Sequence, residues 1–171
     1  MTNPLDLNFQ EKLRMYAAHF SESGIIFAAS NMHGENWGNI GSQVDIGNLR
    51  AYLINTYSPE NEAIEIVAFS MGGLSAMDYT LTHIEHVNKL TLLAATNRSS
   101  LLTDQQVETI QNVEISIYHG QLDENIYPSH SDELYKRLEG TKSLSFQVIG
   151  NIDHWNIESW YVEEIATEEE S

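Results

Sequence analysis

The feature that most constrains the fold is a junction at residues 64–75, where an apolar run gives way to a serine and two glycines. The run is IEIVAF at residues 64–69, and Ser70, Met71 and a Gly-Gly pair follow it. A short apolar run that ends at a turn signal is typical of a buried strand. Apolar residues at helical spacing come next. The sequence therefore predicts a strand, a sharp turn at Ser70 and a helix.

Strands and helices are predicted to alternate along the whole chain. Four further apolar runs predict buried strands, at residues 25–29, 89–95, 114–118 and 144–149. Helical patterns lie between them, at residues 6–20, 45–57, 73–85, 103–110 and 129–138, with a last helical turn or two from residue 157. This alternation predicts an α/β fold with a mainly parallel sheet of about five strands, covered by helices on both faces. One domain over residues 1–160 and an acidic tail over residues 161–171 are expected.

The composition narrows the classes of partner. The net charge of −17, from 25 acidic and 8 basic residues, disfavours nucleic acid and anionic membranes as partners. The chain has no cysteine, which excludes disulfides and thiolate chemistry. No apolar run reaches transmembrane length and no secretory leader is evident, so a soluble, cytoplasmic protein is expected. His83 and His86 lack a third ligand at useful spacing, so no metal is predicted.

Three side chains suited to acyl-transfer chemistry each lie just past a predicted strand. They are Ser70, Asp123 and His154, in that chain order. In a parallel sheet, functional groups gather beyond the carboxyl ends of the strands. A serine is a weak nucleophile unless a base takes its proton, and an acid can orient that base. The order and placement of the three residues therefore predict a Ser-His-Asp triad.

The segments around these residues resemble those of the α/β-hydrolase superfamily. YHGQLDENIYP at residues 118–128 resembles its H-G-x-x-D-x-x-V-P acid loop, and GNIDHW at residues 150–155 resembles its histidine loop. AFSMG resembles the G-x-S-x-G nucleophile elbow, with Ala68 at the first small position and Gly72 at the second. SNMHGENWGN at residues 30–39 is similar to a loop of small bacterial members, and the resemblance extends over most of the chain, from about residue 9 to residue 157.

The resemblance implies a minimal α/β-hydrolase fold without a lid domain, and a carboxylesterase-like serine hydrolase that needs no cofactor. Its substrate would be a small ester or related acyl compound. Ser70 would be the nucleophile, His154 the general base and Asp123 the residue that orients it. The Met71 backbone N–H would donate to the oxyanion. Pocket walls are expected from five residues: Met32, His33, Leu101, Ile126 and Trp155.

The family pattern has a strand ending in His-Gly before the first helix, and this chain begins essentially at that helix. That strand supplies the second oxyanion N–H in the family pattern. Two accounts stay open. In the first, residues 25–29 form the central strand in place of the missing one, and the backbone of residues 32–34 donates the second hydrogen bond to the oxyanion. In the second, the chain is a short form whose oxyanion hole is only half built. In the second account the exposed sheet edge could pair with another subunit as a homo-oligomer.

Other interpretations use the same residues differently. Ser70 could cap a helix and Asp123 could shape a turn, in which case Asp153, Asp132 and His130 are the nearest substitutes. A non-catalytic or truncated α/β-hydrolase-like interaction protein would keep the triad without turnover. A flavodoxin-like domain would instead hold an anion at the Ser70–Gly73 turn, but that interpretation explains neither Asp123 nor His154.

Overall fold

A four-stranded parallel sheet lies at the centre of the protein. A computed structural model describes residues 7–30, 32 and 34–169. The strands pair in chain order, β1–β2–β3–β4. Their bounds are β1 Ile64–Phe69, β2 Val87–Leu93, β3 Glu114–Gly120 and β4 Leu144–Ile149. The predicted α/β class with a parallel sheet is confirmed.

The described part contains six α-helices and three short 3-10 helices. The α-helices are α1 Leu7–Glu22, α2 Ile40–Tyr57, α3 Gly72–Thr82, α4 Asp104–Thr109, α5 Pro128–Arg137 and α6 Ile157–Glu169. The 3-10 helices are Ile84–His86, Ser99–Leu101 and Ile110–Asn112. α2 begins earlier than predicted because the Asn39 side chain caps it, accepting a hydrogen bond from the Ser42 N–H. None of the helices in the described ranges is long and apolar enough to cross a membrane.

Apolar side chains on both faces of the sheet bind the helices to it. On one face, Leu90 and Ile117 of the central strands pack with residues of α3 and α5, among them Tyr79 and Leu134. On the other face, Leu93 and Ile149 pack with residues of α1 and α6. Neighbouring residues in a strand point to opposite faces, so one apolar strand serves both layers. This arrangement confirms the prediction of helices on both faces.

Residues 25–29, predicted as a fifth strand, are not part of the sheet. Ile25 and Ile26 are 50% and 42% exposed, whereas Phe27 stacks on the ring of Tyr16. Only one side of the segment is therefore buried, and a strand in a parallel sheet needs cover on both. Within the described residues the sheet has four strands, and β1 lies at one edge of it. Pairing of that edge with a second copy stays a prediction.

α6 is longer than the predicted turn or two. It runs to Glu169, and its Tyr161 and Val162 are buried on the face of the sheet that also packs with α1. The predicted division between domain and tail, at residue 160, thus falls inside a helix. Glu163 and Glu164 on the same helix are exposed, so the acidic residues there lie on its solvent face.

Candidate active site

Ser70 occupies a strained turn between β1 and α3. Its φ of +52° lies in the left-handed region, which non-glycine residues seldom adopt. Backbone hydrogen bonds hold the turn, and one of them runs from the Gly73 N–H to the Ser70 carbonyl at 3.1 Å. The Ser70 N–H donates to the Leu93 carbonyl at 3.1 Å, and the Thr96 N–H donates to the Ser70 carbonyl at 2.9 Å. The end of β2 thereby fixes the position of the serine.

A glycine is required after Ser70, but it is Gly73 rather than Gly72. A Cβ built on Gly73 would lie 2.6 Å from Ala95 Cβ and 2.7 Å from the Thr96 carbonyl oxygen. A Cβ on Gly72 would meet nothing within 4 Å. The expectation that Gly72 fills the tight position of the elbow is therefore wrong, because the close approach of α3 to β2 occurs one residue later.

Asp123 lies in the loop after β3 and is 2% exposed. Its Oδ1 accepts hydrogen bonds from the Asn125 N–H at 2.9 Å and the Ile126 N–H at 2.8 Å. The loop approaches the loop after β4 closely, since a Cβ on Gly120 would lie 2.4 Å from the Ile152 carbonyl oxygen. The glycine of the predicted acid loop thus allows the acid and histidine loops to meet.

His154, in the loop after β4, connects the other two side chains. Its Nδ1 lies 2.7 Å from Asp123 Oδ2, and its Nε2 lies 3.0 Å from Ser70 Oγ. An ionised carboxylate can only accept, so Nδ1 carries the proton and Nε2 is free to accept from the serine hydroxyl. The Phe69 ring packs on the imidazole at 4.9 Å between centroids, and the Trp155 ring meets it edge-on at 5.0 Å. The structure brings the three predicted side chains together in triad geometry.

His119, to which the sequence assigned no role, lies beside the Asp123 carboxylate. It is fully buried, with Nε2 3.1 Å from Asp123 Oδ2 and 2.7 Å from the Ile126 carbonyl oxygen. Its Nδ1 lies 2.7 Å from Ser131 Oγ. Burial lowers the pKa of His119, partly offset by its hydrogen bond to Ile126 and by Asp123. The available signal was the histidine in the YHGQLD motif, at the end of an apolar strand.

A second unpredicted contact ties α1 to the histidine loop. Lys12 Nζ donates to the Trp155 carbonyl at 2.6 Å and to Glu158 at 3.1 Å. Burial raises the pKa of the Glu158 carboxyl, and Lys12 opposes that shift. The helical pattern of α1 identified its buried face but held no signal for this pairing.

Met71 immediately precedes the first residue of α3, where backbone N–H groups lack acceptors within the helix. The neighbouring loop is fastened to the same helix: Ser75 Oγ donates to Asn36 Oδ1 at 2.7 Å, and Asn36 Nδ2 donates to the Met32 and Gly34 carbonyls. The Met32 N–H itself donates to Ser30 Oγ at 3.1 Å. The backbone N–H of Met32 thus already has an acceptor within its own loop.

The predicted pocket residues have different surroundings. Ile126 lines a cleft of about 290 Å³, Trp155 is 52% exposed beside His154, and Leu101 is 72% exposed. Met32 has a φ of +42° in the loop fastened to α3, and His33 lies outside the described residues. The other residues lining the cleft with Ile126 are Thr96, Asn125, Tyr127, Ser129 and His130.

The three substitute residues have other partners. Asp153 Oδ1 accepts from the Trp155 and Asn156 N–H groups, Asp132 pairs with Lys136, and the His130 carbonyl accepts from Asn97 Nδ2. Among the described residues, no group of three or more His, Asp or Glu side chains is arranged to hold a metal ion.

Solved structures resemble this chain in fold. A thermostable esterase matches with a TM-score of 0.58 and 18% identity, over 74% of this chain and 34% of its own. An enzyme described as a predicted CIB-like hydrolase of Thermoplasma acidophilum matches with a TM-score of 0.62 and 17% identity, over 94% and 79%. An alpha-beta serine hydrolase homologue from Coxiella burnetii matches with a TM-score of 0.61 and 15% identity, over 92% and 76%.

These likenesses establish the α/β-hydrolase fold for this chain. No protein-family model matches the sequence, and no curated protein matches it. The chain spans about a third of the length of the thermostable esterase, and about three quarters or more of the other two structures.

Proposed function

We propose that this protein is a serine hydrolase that cleaves a small ester or related acyl compound through an acyl-enzyme on Ser70. The observation that carries the proposal is the position of His154. Its two ring nitrogens lie 3.0 Å from the Ser70 hydroxyl and 2.7 Å from the Asp123 carboxylate. A serine that merely caps a helix needs neither contact.

The reaction follows from these positions. Ser70 Oγ attacks the acyl carbon while its proton passes to His154 Nε2, and the Asp123 carboxylate stabilises the imidazolium. The carbonyl oxygen becomes an oxyanion that accepts the Met71 N–H at the start of α3. His154 then returns the proton to the leaving alcohol as the acyl–oxygen bond breaks. A water molecule then attacks the acyl carbon while His154 removes its proton. The bond between the acyl carbon and Ser70 Oγ breaks, His154 returns the proton to Oγ, and the acid is released.

The cleft that Ile126 lines supports a small, uncharged substrate. One of its lining residues is Thr96, whose N–H holds the Ser70 carbonyl, and another is Ile126, whose N–H holds Asp123. The cleft has no Lys, Arg, Asp or Glu among its lining residues, so its polar lining suits an uncharged acyl group better than a carboxylate or an ammonium group. The chain's net charge of −17 further disfavours anionic substrates.

Oxyanion stabilisation in this proposal rests on the Met71 N–H. Losing one oxyanion donor typically costs roughly 10²–10³ in rate. If Met71 acts alone, we expect both acylation and deacylation to be slow, because an oxyanion forms in each step.

Labelling with a fluorophosphonate tests the proposal. We expect stoichiometric labelling of the wild-type protein that disappears in Ser70→Ala and in His154→Ala. Ser145→Ala, an exposed serine on β4, is the matched control and should label like wild type. Folded wild-type protein that takes up no label would refute the enzyme and favour the alternative, a non-catalytic interaction protein with this fold.

A further inference from the structure

The Asp123 carboxylate accepts three hydrogen bonds, and a second histidine lies close to it. Oδ1 accepts the Asn125 and Ile126 N–H groups, at 2.9 and 2.8 Å. Oδ2 accepts from His154 Nδ1 at 2.7 Å, and His119 Nε2 lies 3.1 Å from the same oxygen. In the triad pattern described above, His154 is the only side-chain partner of the acid. His119 therefore adds a contact at the oxygen that faces the base.

The surroundings of His119 fix which ring nitrogen carries its proton. Nε2 faces two groups that can only accept, the Ile126 carbonyl at 2.7 Å and the Asp123 carboxylate. Nε2 must therefore be protonated and donate. Nδ1 faces Ser131 Oγ at 2.7 Å, and this hydroxyl can donate to an unprotonated nitrogen.

Burial favours the neutral form of this histidine. His119 is fully buried and Ser131 is 1% exposed, and burial is the main reason that the pKa of His119 is lowered. The charged and titratable groups facing it are Asp123, from the loop after β3, and His154, from the loop after β4. A neutral donor at Asp123 leaves the carboxylate negative, so it can still stabilise an imidazolium at His154.

We propose that His119 is a positioning residue for the triad: its neutral imidazole, oriented by Ser131, donates from Nε2 to Asp123 Oδ2 and to the Ile126 carbonyl and so fixes the carboxylate against His154. The inference rests on the proposed function of the triad. It deepens that function by assigning the buried His119–Ser131 pair to the acid. The Asn125 and Ile126 amides contact only Oδ1, whereas His119 contacts Oδ2, the oxygen that His154 Nδ1 meets.

Two substitutions separate positioning from packing. His119→Phe keeps a planar ring but removes both nitrogens, and we expect kcat to fall about 100-fold, the cost of a small misplacement of a catalytic group. KM should stay within about twofold, because the lost interaction acts on the reacting groups rather than on bound substrate. His119→Gln keeps an N–H near Nε2, and we expect it to restore kcat to within about tenfold of wild type.

A proton resonance serves as a further readout beside kcat. The low-field ¹H NMR signal of the His154 Nδ1–H, which requires no turnover, should be sharp in wild type and His119→Gln and broadened in His119→Phe. Thr80→Val removes another buried hydroxyl, one that bonds the Ala76 carbonyl, and should change neither readout.

The outcomes distinguish this inference from the proposed function. A wild-type protein without fluorophosphonate labelling refutes the hydrolase, while the NMR comparison still tests whether His119 holds the acid. A folded His119→Phe with wild-type kcat and NMR signal overturns the inference, as does a His119→Gln no more active than His119→Phe. If His119→Phe does not fold, Ser131→Ala decides: we expect kcat to fall about tenfold for one lost buried hydrogen bond, and an unchanged kcat overturns the role.

Discussion

Substituting Gly73 by alanine should disturb Ser70 without touching the triad side chains. The new methyl carbon would lie 2.6 Å from Ala95 Cβ and 2.7 Å from the Thr96 carbonyl oxygen. Carbon atoms pack best at roughly 3.5–4.0 Å, so α3 and the end of β2 must separate by about 1 Å to admit it. Overpacking of this size costs about 1–3 kcal/mol in the free energy of unfolding.

The same displacement should reduce activity. The Thr96 N–H holds the Ser70 carbonyl at 2.9 Å, so separating α3 from β2 shifts the serine relative to His154. A shift of about 1 Å can cost about 100-fold in rate. The measurements are urea unfolding and the second-order rate of fluorophosphonate labelling.

Gly72→Ala is the matched control for this experiment. A Cβ there would meet nothing within 4 Å, and in a helix alanine is more stable than glycine by roughly 0.5–1 kcal/mol. We expect Gly72→Ala to be at least as stable as wild type and to label at a similar rate. Equal stability and labelling in Gly73→Ala and Gly72→Ala would refute the reasoning about this contact.

Three further predictions concern Asp123, Lys12 and His119. Asp123→Asn should fold and lower kcat by about 10⁴-fold, because the wrong imidazole tautomer would face Ser70. Steady-state kinetics measures this, with Asp132→Asn as the control, and a loss of kcat below tenfold would contradict the prediction. Lys12→Met should lower the free energy of unfolding, measured in urea, by about 2 kcal/mol at neutral pH and by less as the pH falls. The loss shrinks because Glu158 has a raised pKa, and its protonation removes the charge that Lys12 no longer pairs. A loss that grows on acidification would contradict this. The free energy of unfolding of wild type should fall as the pH drops through about 6.5, because His119 is protonated in the unfolded chain but not in the folded protein, where its pKa is lowered. His119→Gln should weaken this dependence of stability on pH, and an unchanged dependence would contradict the prediction.

The sequence was sufficient to predict the strands of the sheet and the proximity of Ser70, Asp123 and His154. β1, β3 and β4 are short apolar runs bounded by turn residues, and such runs in a parallel sheet place the residues that follow them at one edge. Ser70, Asp123 and His154 each follow one of these runs, so their proximity follows from the order of the elements. Local pattern and topology pointed to the same arrangement, which is why this part of the prediction agrees with the structure.

The features that the sequence did not reveal depend on which parts of the chain meet in space. The apolar run at residues 25–29 looks the same whether or not a neighbour covers its second face, and here Ile25 and Ile26 remain exposed. Likewise, two adjacent glycines give no indication of which one meets Ala95. His119 and Lys12 find their partners only through the packing of the loop after β3 and of α1, and a single sequence does not record those contacts.

The central claim, an acyl-enzyme on Ser70, is tested most directly by trapping that species. The protein is mixed with an excess of an activated small ester, quenched in acid within the first turnover, and analysed by intact and peptide mass spectrometry. We predict a burst of one alcohol released per protein, with the acyl mass on the peptide that contains Ser70 and none in Ser70→Ala. Ester turnover by wild type without a burst, or acyl mass on another residue, would contradict the claim.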